Sequence, residues 1–277
     1  MNNHNLKPSD PCSSMNPSEP LVIRENLGSV VTLTLNCPKQ FNALSVDMLS
    51  AMQTELDSIA QDSSIRVVVI AANGKAFCAG HNLKEMRANP EKAFQRALFE
   101  QCSQMMLTIN RMPQVVIAKV EGIATAAGCQ LVAACDLAVA SDNAKFATSG
   151  ISVGLFCSTP AVAVSRNLSR KQAFEMLITG EFIDAHTALH QGLINRVASA
   201  EQLDTTLQSL IDSITAKSSV ALTTGKTMFY NQLDMALALA DAYEYASEVM
   251  SCNMMADDVS EGIDAFIEKR PAVWTGH

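Results

Sequence analysis

Aromatic residues are scarce in this 277-residue chain: together they make up 5%, with one tryptophan. The apolar fraction is nevertheless 48%, so a core must be filled by Leu, Val, Ile, Ala and Met. Basic runs are absent, no basic residues interleave with aromatics, and the formal net charge is −8. Phosphate-backbone binding depends on clustered Lys and Arg, so nucleic acid is excluded as an expected partner. None of the eight cysteines forms a C-x-x-C pair. Most sit in apolar runs and read as small buried hydrophobes of a reducing cytosol, which implies a cytoplasmic protein. The first twenty residues lack an apolar signal core and carry Pro8, Pro11, Pro17 and Pro20. They read as a disordered tail, not a secretory signal. The apolar run Gly122 to Ala140 is about as long as a bilayer crossing requires, but Gln130 and Asp136 interrupt it. It reads as a buried helix, and no membrane partner is expected.

Several chemistries lack their signatures. There is no G-x-G-x-x-G, P-loop or G-x-S-x-G pattern, which removes hydride-transfer, kinase and α/β-hydrolase readings. His186 and His190 stand four apart, but no Glu follows the first and no third ligand is evident. They read as a solvated helix face, with no metal expected. The fourteen methionines read as core filler.

What is present is an alternation of short apolar runs with helical stretches. Val31, Leu33 and Leu35 alternate with Thr32 and Thr34 as a strand over Val30 to Leu35. Val46, Leu49, Met52, Leu56 and Ile59 recur at helical spacing behind Ser45, a natural N-cap. Val67 to Ile70, Val115 to Ala118 and Leu137 to Ala140 are unbroken apolar runs, as expected of strands buried on both faces in βα units. Leu203, Leu207, Leu210, Ile211 and Ile214 mark an amphipathic helix in a helical C-terminal half. The expected organisation is a tail over 1–20, a β-rich core over 21–195 and a helical region over 196–277.

Two loops carry chemistry. Phe77-Cys78-Ala79-Gly80-His81-Asn82-Leu83 follows a buried strand and an Asn73-Gly74 turn. Gly80 permits a bend that leaves the next amide free. Gly122 to Leu131 follows a strand and opens a helix, whose first amides are unpaired at the positive end of the helix dipole. Two such amides meeting at one carbonyl oxygen would stabilise an enolate or tetrahedral oxyanion, each donor contributing roughly 3 kcal/mol in a transition state.

Asn42-Ala43-Leu44-Ser45, Ala76 to Met86, Gly122 to Leu137 and Gly262 to Arg270 resemble, in wording and order, the enoyl-CoA hydratase/isomerase (crotonase) family. The likeness spans about residues 21 to 274. Ala124 to Ala133 and Gly154 to Pro160 narrow it to the branch of enoyl-CoA hydratase domain-containing proteins. The resemblance implies an α/β, ClpP/crotonase-like spiral of ββα units, with a helical C-terminal region that assembles trimers or dimers of trimers. It implies an acyl-CoA thioester as ligand, with coenzyme A entering as part of the substrate and no separate cofactor. The oxyanion amides would be those of His81 and Ala127. Lys39, Gln40 and Phe41 would line the CoA arm, Ala79, Asn82 and Leu83 would border the adenine and pantetheine, and Phe266 and Lys269 would reach a neighbouring subunit's CoA.

The departures bear on the reaction. Hydratases of the family place one glutamate three residues beyond the second oxyanion amide, where this chain has Gln130. They place the other just past a Phe-Ala-x-x stretch, and after Phe146-Ala147-Thr148-Ser149 comes Gly150. General acid–base help is worth about 10²–10⁴-fold, so weak or absent hydration is expected. Three outcomes stay open: residual hydratase or isomerase chemistry, a non-catalytic acyl-CoA binder or regulator, and another reaction such as thioester hydrolysis or decarboxylation. His81 is an acid–base candidate by its pKa range, and Cys157 by a helix that starts near Pro160 and would lower its thiol pKa. The alternatives are a His81 ring turned away, packing for Cys157 and capping for Ser158. Asp136 reads as a structural hydrogen-bonding group.

Overall fold

The computed structural model describes residues 19–234 and 239–277; the tail expected over 1–20 thus falls almost entirely outside the described residues. Two sheets organise the fold. The larger contains β1 (Val22–Leu27), β2 (Val30–Leu35), β3 (Val67–Ala72), β5 (Val115–Val120), β7 (Leu137–Ser141) and β10 (Arg196–Ala198), in the order β1-β2-β3-β5-β7-β10. Only the β1–β2 pair is antiparallel. The smaller contains β4 (Ala76–Cys78), β6 (Ile123–Thr125), β8 (Lys145–Ala147) and β9 (Ile183–Asp184), with β4, β6 and β8 parallel.

Chain order explains the architecture. β3 then β4, β5 then β6, and β7 then β8 each put one strand into each sheet before a helix follows. Those helices are α2 (Leu83–Ala88) with α3 (Lys92–Arg111), α4 (Ala127–Ala134) and α5 (Ser158–Asn167). The repeating ββα turn makes a spiral, with α1 (Val46–Ala60) closing the first turn after β1 and β2. Ser45 caps α1 by accepting from the Met48 amide at 3.2 Å, as the sequence implies.

The unbroken apolar runs follow from the layering. In β3, Val68 and Ile70 enter the main core beneath α1 and α3, while Val67 and Val69 point the other way. There they meet Leu203, Leu207, Leu210 and Ile211 of α8 (Leu203–Thr215). Ile117 of β5 and Val139 of β7 join this second layer. A strand covered on both faces has no polar side to alternate with.

Two expectations need correction. Gly122 to Ala140 is not one buried helix: it divides into β6, the eight-residue α4 and β7. The proposed boundary at 195 falls just before β10, which pairs with β7 and so belongs to the core sheet. Beyond it lie α8, α9 (Ser219–Asp234), α10 (Leu239–Asn253) and α11 (Asp257–Glu268). Among the described residues, no helix is long and apolar enough to cross a membrane.

One buried charge pair ties α9 to the core. Lys226 Nζ donates to Asp136 Oδ2 at 2.7 Å, to the Ile109 carbonyl at 2.9 Å and to the Gln114 carbonyl at 2.7 Å. Ile109 lies in the last turn of α3, where carbonyls lack helical partners and a cation is favoured. Asp136 also accepts from the Val116 amide at 2.7 Å and the Tyr230 hydroxyl at 2.8 Å. Burial pushes the Asp136 carboxyl up and the Lys226 ammonium down, and their contact opposes both shifts. Asp136 therefore has the structural role its position suggested. Lys226→Met would leave a buried carboxylate uncompensated, and should cost about 3–5 kcal/mol in urea denaturation. A loss under about 1 kcal/mol would show the pair to be dispensable.

Candidate functional site

The first loop leaves β4 and turns at Gly80, whose φ is +88°. A Cβ there would stand 2.8 Å from Ala126 Cβ and 3.1 Å from the Ala127 nitrogen. The residue that precedes the His81 amide is thus pressed against the segment that opens α4. A neighbouring strap, residues 37–45, is fixed to the same loop. The Ala79 amide donates to the Phe41 carbonyl at 3.0 Å, and the Leu44 amide to the Gly80 carbonyl at 2.8 Å. Phe41 and Asn42 both have positive φ, +53° and +52°, a conformation unusual for residues with a Cβ. The buried Asn42 carboxamide holds it: Oδ1 accepts from the Cys37 amide, and Nδ2 donates to the Asn73 and Ala76 carbonyls, all within 2.8–2.9 Å.

The second loop is strained where it meets α4. Ala126 has φ +51° and ψ −121°, a region that L-residues occupy only when the surroundings impose it. Its amide donates to the Ala147 carbonyl at 3.0 Å, and Thr125 Oγ1 lies 2.7 Å from Ser149 Oγ. The third turn of the spiral is thereby stitched to the segment that reaches Gly150. On the other side, a Cβ at Gly128 would fall 2.1 Å from the Cys78 carbonyl oxygen. Only glycine lets α4 lie this close to β4. The amides of His81 and Ala127 donate to no other described residue.

Lys39 and Gln40 form a 3-10 turn over Pro38–Gln40 at the strap, and Asn82 Nδ2 reaches Gln40 Oε1 at 3.4 Å. Asn82 also caps α2 by accepting from the Lys84 and Glu85 amides. Phe41 and Leu83, 56% and 57% exposed, present apolar surface beside this loop, of the kind that lines ligand sites. Six of the expected residues, Lys39, Gln40, Phe41, Ala79, Asn82 and Leu83, are therefore gathered around His81. Phe266, 85% exposed on α11, and Lys269 at its C-terminus are not joined to them by any hydrogen bond among the described residues.

Gln130 is buried to 4% exposure, and its Oε1 has no partner among the described residues. A Cβ on Gly150 would meet the Leu155 carbonyl oxygen at 2.6 Å and Cys157 Sγ at 2.7 Å, so the space a side chain would need is filled. Burial pushes the Cys157 thiol up, against the expected lowering. Cys157 itself holds the N-cap position of α5, and Ser158 is the first helical residue, so Ser158 does not cap. The Ser158 hydroxyl reaches the Phe156 carbonyl only at 3.4 Å. Beyond α6 (Arg170–Thr179), His186 and His190 lie on the short α7 (Ala185–Gln191), both exposed, and no potential metal cluster occurs among the described residues.

The His81 ring packs edge-on against Phe99 of α3, with ring centroids 5.3 Å apart, and its Nε2 has no partner among the described residues. Burial holds its pKa at about 4, so the imidazole is neutral near pH 7. Sequence reading missed Asn42 as a brace, the Thr125–Ser149 contact and the strain at Ala126. Asn42 stood within a quoted motif, but only its partners reveal its task.

Two stability measurements follow. Gly128→Ala should destabilise by about 1–3 kcal/mol or more through overpacking, whereas Gly225→Ala in α9, with open space around its Cβ position, should gain about 0.5–1 kcal/mol. Comparable effects in urea denaturation would contradict the close approach of α4 and β4. An unfolded histidine titrates near 6.5 and folded His81 near 4, so the unfolded state binds the extra proton between these values. Stability should be full above about pH 7 and fall as pH drops from about 6.5 towards 4, by on the order of 2 kcal/mol at pH 5. His81→Phe should lose this part of the acid sensitivity, and an unchanged pH profile would rule it out.

The geometry can be set beside known proteins. The enoyl-CoA hydratase/isomerase family model matches residues 25–277. The chain is 45% identical over 256 residues to the mitochondrial enoyl-CoA hydratase domain-containing protein 3 of Xenopus laevis, covering 92% of this chain and 86% of that one. The human protein of the same name is 42% identical over 249 residues, with 90% and 82% covered. Among solved structures, an enoyl-CoA hydratase of Mycobacterium smegmatis superposes with a TM-score of 0.90 at 53% identity, covering 92% and 99% of the two chains. The structure of human enoyl-CoA hydratase domain-containing protein 3 gives 0.89 at 41%, with 92% and 100% covered. The expectation of a cytoplasmic protein is overturned by these relatives, since those of frog, rat, mouse and human are all designated mitochondrial. The ββα spiral, the paired loops and the likeness along nearly the whole chain lead to one conclusion: this chain belongs to the enoyl-CoA hydratase/isomerase family, in the branch of enoyl-CoA hydratase domain-containing protein 3.

Proposed function

We propose that this protein holds an acyl-CoA thioester by its carbonyl oxygen, between the amides of His81 and Ala127, and has little or no ordinary hydratase activity. One observation carries the reading: Gly80 is packed against Ala126 and Ala127, so the two unpaired amides lie on abutting segments. The strap residues Lys39, Gln40 and Phe41, with Ala79, Asn82 and Leu83, would receive the coenzyme A portion. Phe266 is exposed on α11 and shares no hydrogen bond with these residues among the described ones, and we assign it, with Lys269, to the cleft of a neighbouring subunit in a homotrimer or dimer of trimers.

Donors at the oxyanion polarise the thioester and acidify the α-hydrogen, each contributing roughly 3 kcal/mol in a transition state. Hydration also needs a base for water and an acid for the α-carbon. A carboxamide at Gln130 does neither near neutral pH, and Gly150 offers no side chain. The His81 ring is neutral and buried beside Phe99, and Cys157 is kept as a thiol. These groups favour binding over turnover.

Calorimetry with butyryl-CoA and crotonyl-CoA should show binding, while crotonyl-CoA hydration stays near background. Gln130→Glu restores a carboxylate without a new backbone clash, and should raise hydration about ten- to a hundredfold. Gly150→Glu should fail to help, because its Cβ collides with the Leu155 carbonyl. Brisk hydration by the unaltered protein, or no retained acyl-CoA, would defeat the proposal.

A further inference from the structure

Past α11 the chain reverses at Lys269, whose φ is +56°, and residues 271–277 run back beside the helix. The Arg270 guanidinium clamps this turn on Glu261 at 2.6 and 2.8 Å. Glu261 also accepts from the Val273 amide at 2.8 Å. Farther along, Asp258 Oδ1 accepts from the Thr275 amide at 2.6 Å, the Thr275 hydroxyl at 3.0 Å and the Gly276 amide at 3.2 Å. Asp258 is 1% exposed, so a buried carboxylate is spent here on neutral donors. Between the two acids, Trp274 Nε1 donates to the Ala216 carbonyl at 2.8 Å. Its ring covers Gly262, where a Cβ would stand 3.1 Å from Trp274 Cη2. One tryptophan thus joins α11 to the end of α8.

Arg66 stands at the same place with its hydrogen bonding unfinished. Its Nη1 donates to the Thr215 carbonyl at 2.6 Å, one residue before the carbonyl that takes Trp274. Its Nε and Nη2 are buried and have no partner among the described residues. Burial lowers the Arg66 pKa, and the nearby Asp258 charge opposes that shift. Buried donors without an acceptor are costly, and a two-pronged guanidinium–carboxylate contact is among the strong charge-assisted pairs. The arrangement observed forgoes that pair.

We infer that residues 271–277 are a releasable strap, in which Thr275 and Gly276 compete with Arg66 for the Asp258 carboxylate. With Asp258 on the strap, Trp274 fixes α11 to α8. With Asp258 on Arg66, Trp274 and the Ala216 carbonyl return to water and α11 can pivot. Of its own residues α11 buries only Asp258 and Ala265, so little else restrains it. Phe266 and Lys269 ride on α11, and the strap therefore sets how they are presented. Their part at a neighbouring cleft rests on the acyl-CoA reading above. A ligand gripped by them favours the closed strap, and by linkage the closed strap favours the ligand.

The reporter is Trp274, the only tryptophan of the chain, read in the full-length protein by its emission and by acrylamide quenching. Asp258→Ala removes the strap's acceptor and should shift emission to the red and increase quenching. Thr275→Val, at an exposed position, repeats that arm without touching the core and should act in the same direction. Arg66→Met removes the competitor and should reduce quenching below that of the unaltered protein. A purely structural Arg66, holding the end of α8 through Thr215, requires the opposite. Unchanged quenching in both Asp258→Ala and Thr275→Val, or increased quenching in a folded Arg66→Met, would overturn the strap. In calorimetry, butyryl-CoA should bind Asp258→Ala about fivefold or more weakly than the unaltered protein. Equal affinity would overturn the link to α11. Failure of the unaltered protein to bind butyryl-CoA would defeat the acyl-CoA reading, while the quenching arms would still decide for or against the strap.

Discussion

Contact between backbones, with no side chain in between, is the constraint on which this site rests. Cβ atoms placed on Gly122 and Gly128 would come within 2.2 Å of the Lys75 carbonyl and 2.1 Å of the Cys78 carbonyl. These contacts lie at the two ends of β4, against the segments just before and after β6. Because β4 and β6 are parallel neighbours, the loops that follow them leave from the same edge of the small sheet. Parallel strands routinely place ligand-binding loops together in this way. Here the approach is close enough for peptide groups to define the site, and their positions depend on the backbone path, not on rotamers.

Such closeness has to be imposed, and α4 is held from both ends. At its start the chain accepts an unfavourable Ala126 conformation, offset by bonds to Ala147 and between Thr125 and Ser149. Just past its end, Asp136 is fixed by Lys226, Tyr230 and the Val116 amide. A buried ion pair is poor evidence of net stabilisation, but it sets geometry when every donor is used. Lys226 does so by joining α9, the end of α3 and the start of β7 through one ammonium group. The first amide of α4 has no partner among the described residues, and the contacts of Ala126, Thr125 and Asp136 fix the chain on either side of the helix.

How much could be seen beforehand depended on range. Periodicity located α1 with its Ser45 cap, and the runs at Val67, Val115 and Leu137 gave strands buried on both faces. Gly122 to Ala140 misled because a short apolar run reads alike as strand or helix, and three elements share it here. The Lys226–Asp136 pair spans ninety positions and has no local signature. Resemblance to a family marked Gln130 and Gly150 as the sites of absent carboxylates. It could not show that Leu155 and Cys157 occupy the space at Gly150, nor that burial would reverse the expected shift at Cys157.

The substitutions around α4 share one electrostatic consequence. A carboxylate near a developing oxyanion repels it at short range, so an enzyme that uses one must obtain enough proton transfer to justify that repulsion. Gln130 removes the charge, Gly150 adds none, and His81 stays neutral because its ring cannot be solvated as a cation. On the proposed reading, the site would offer two peptide dipoles and one carboxamide, and such dipoles act more strongly where water is excluded. An arrangement of fixed dipoles without a titrating partner can polarise and recognise a thioester, but has nothing to carry a proton away. On the proposed reading, the same replacements that would weaken hydration would suit the site to holding an intact acyl chain.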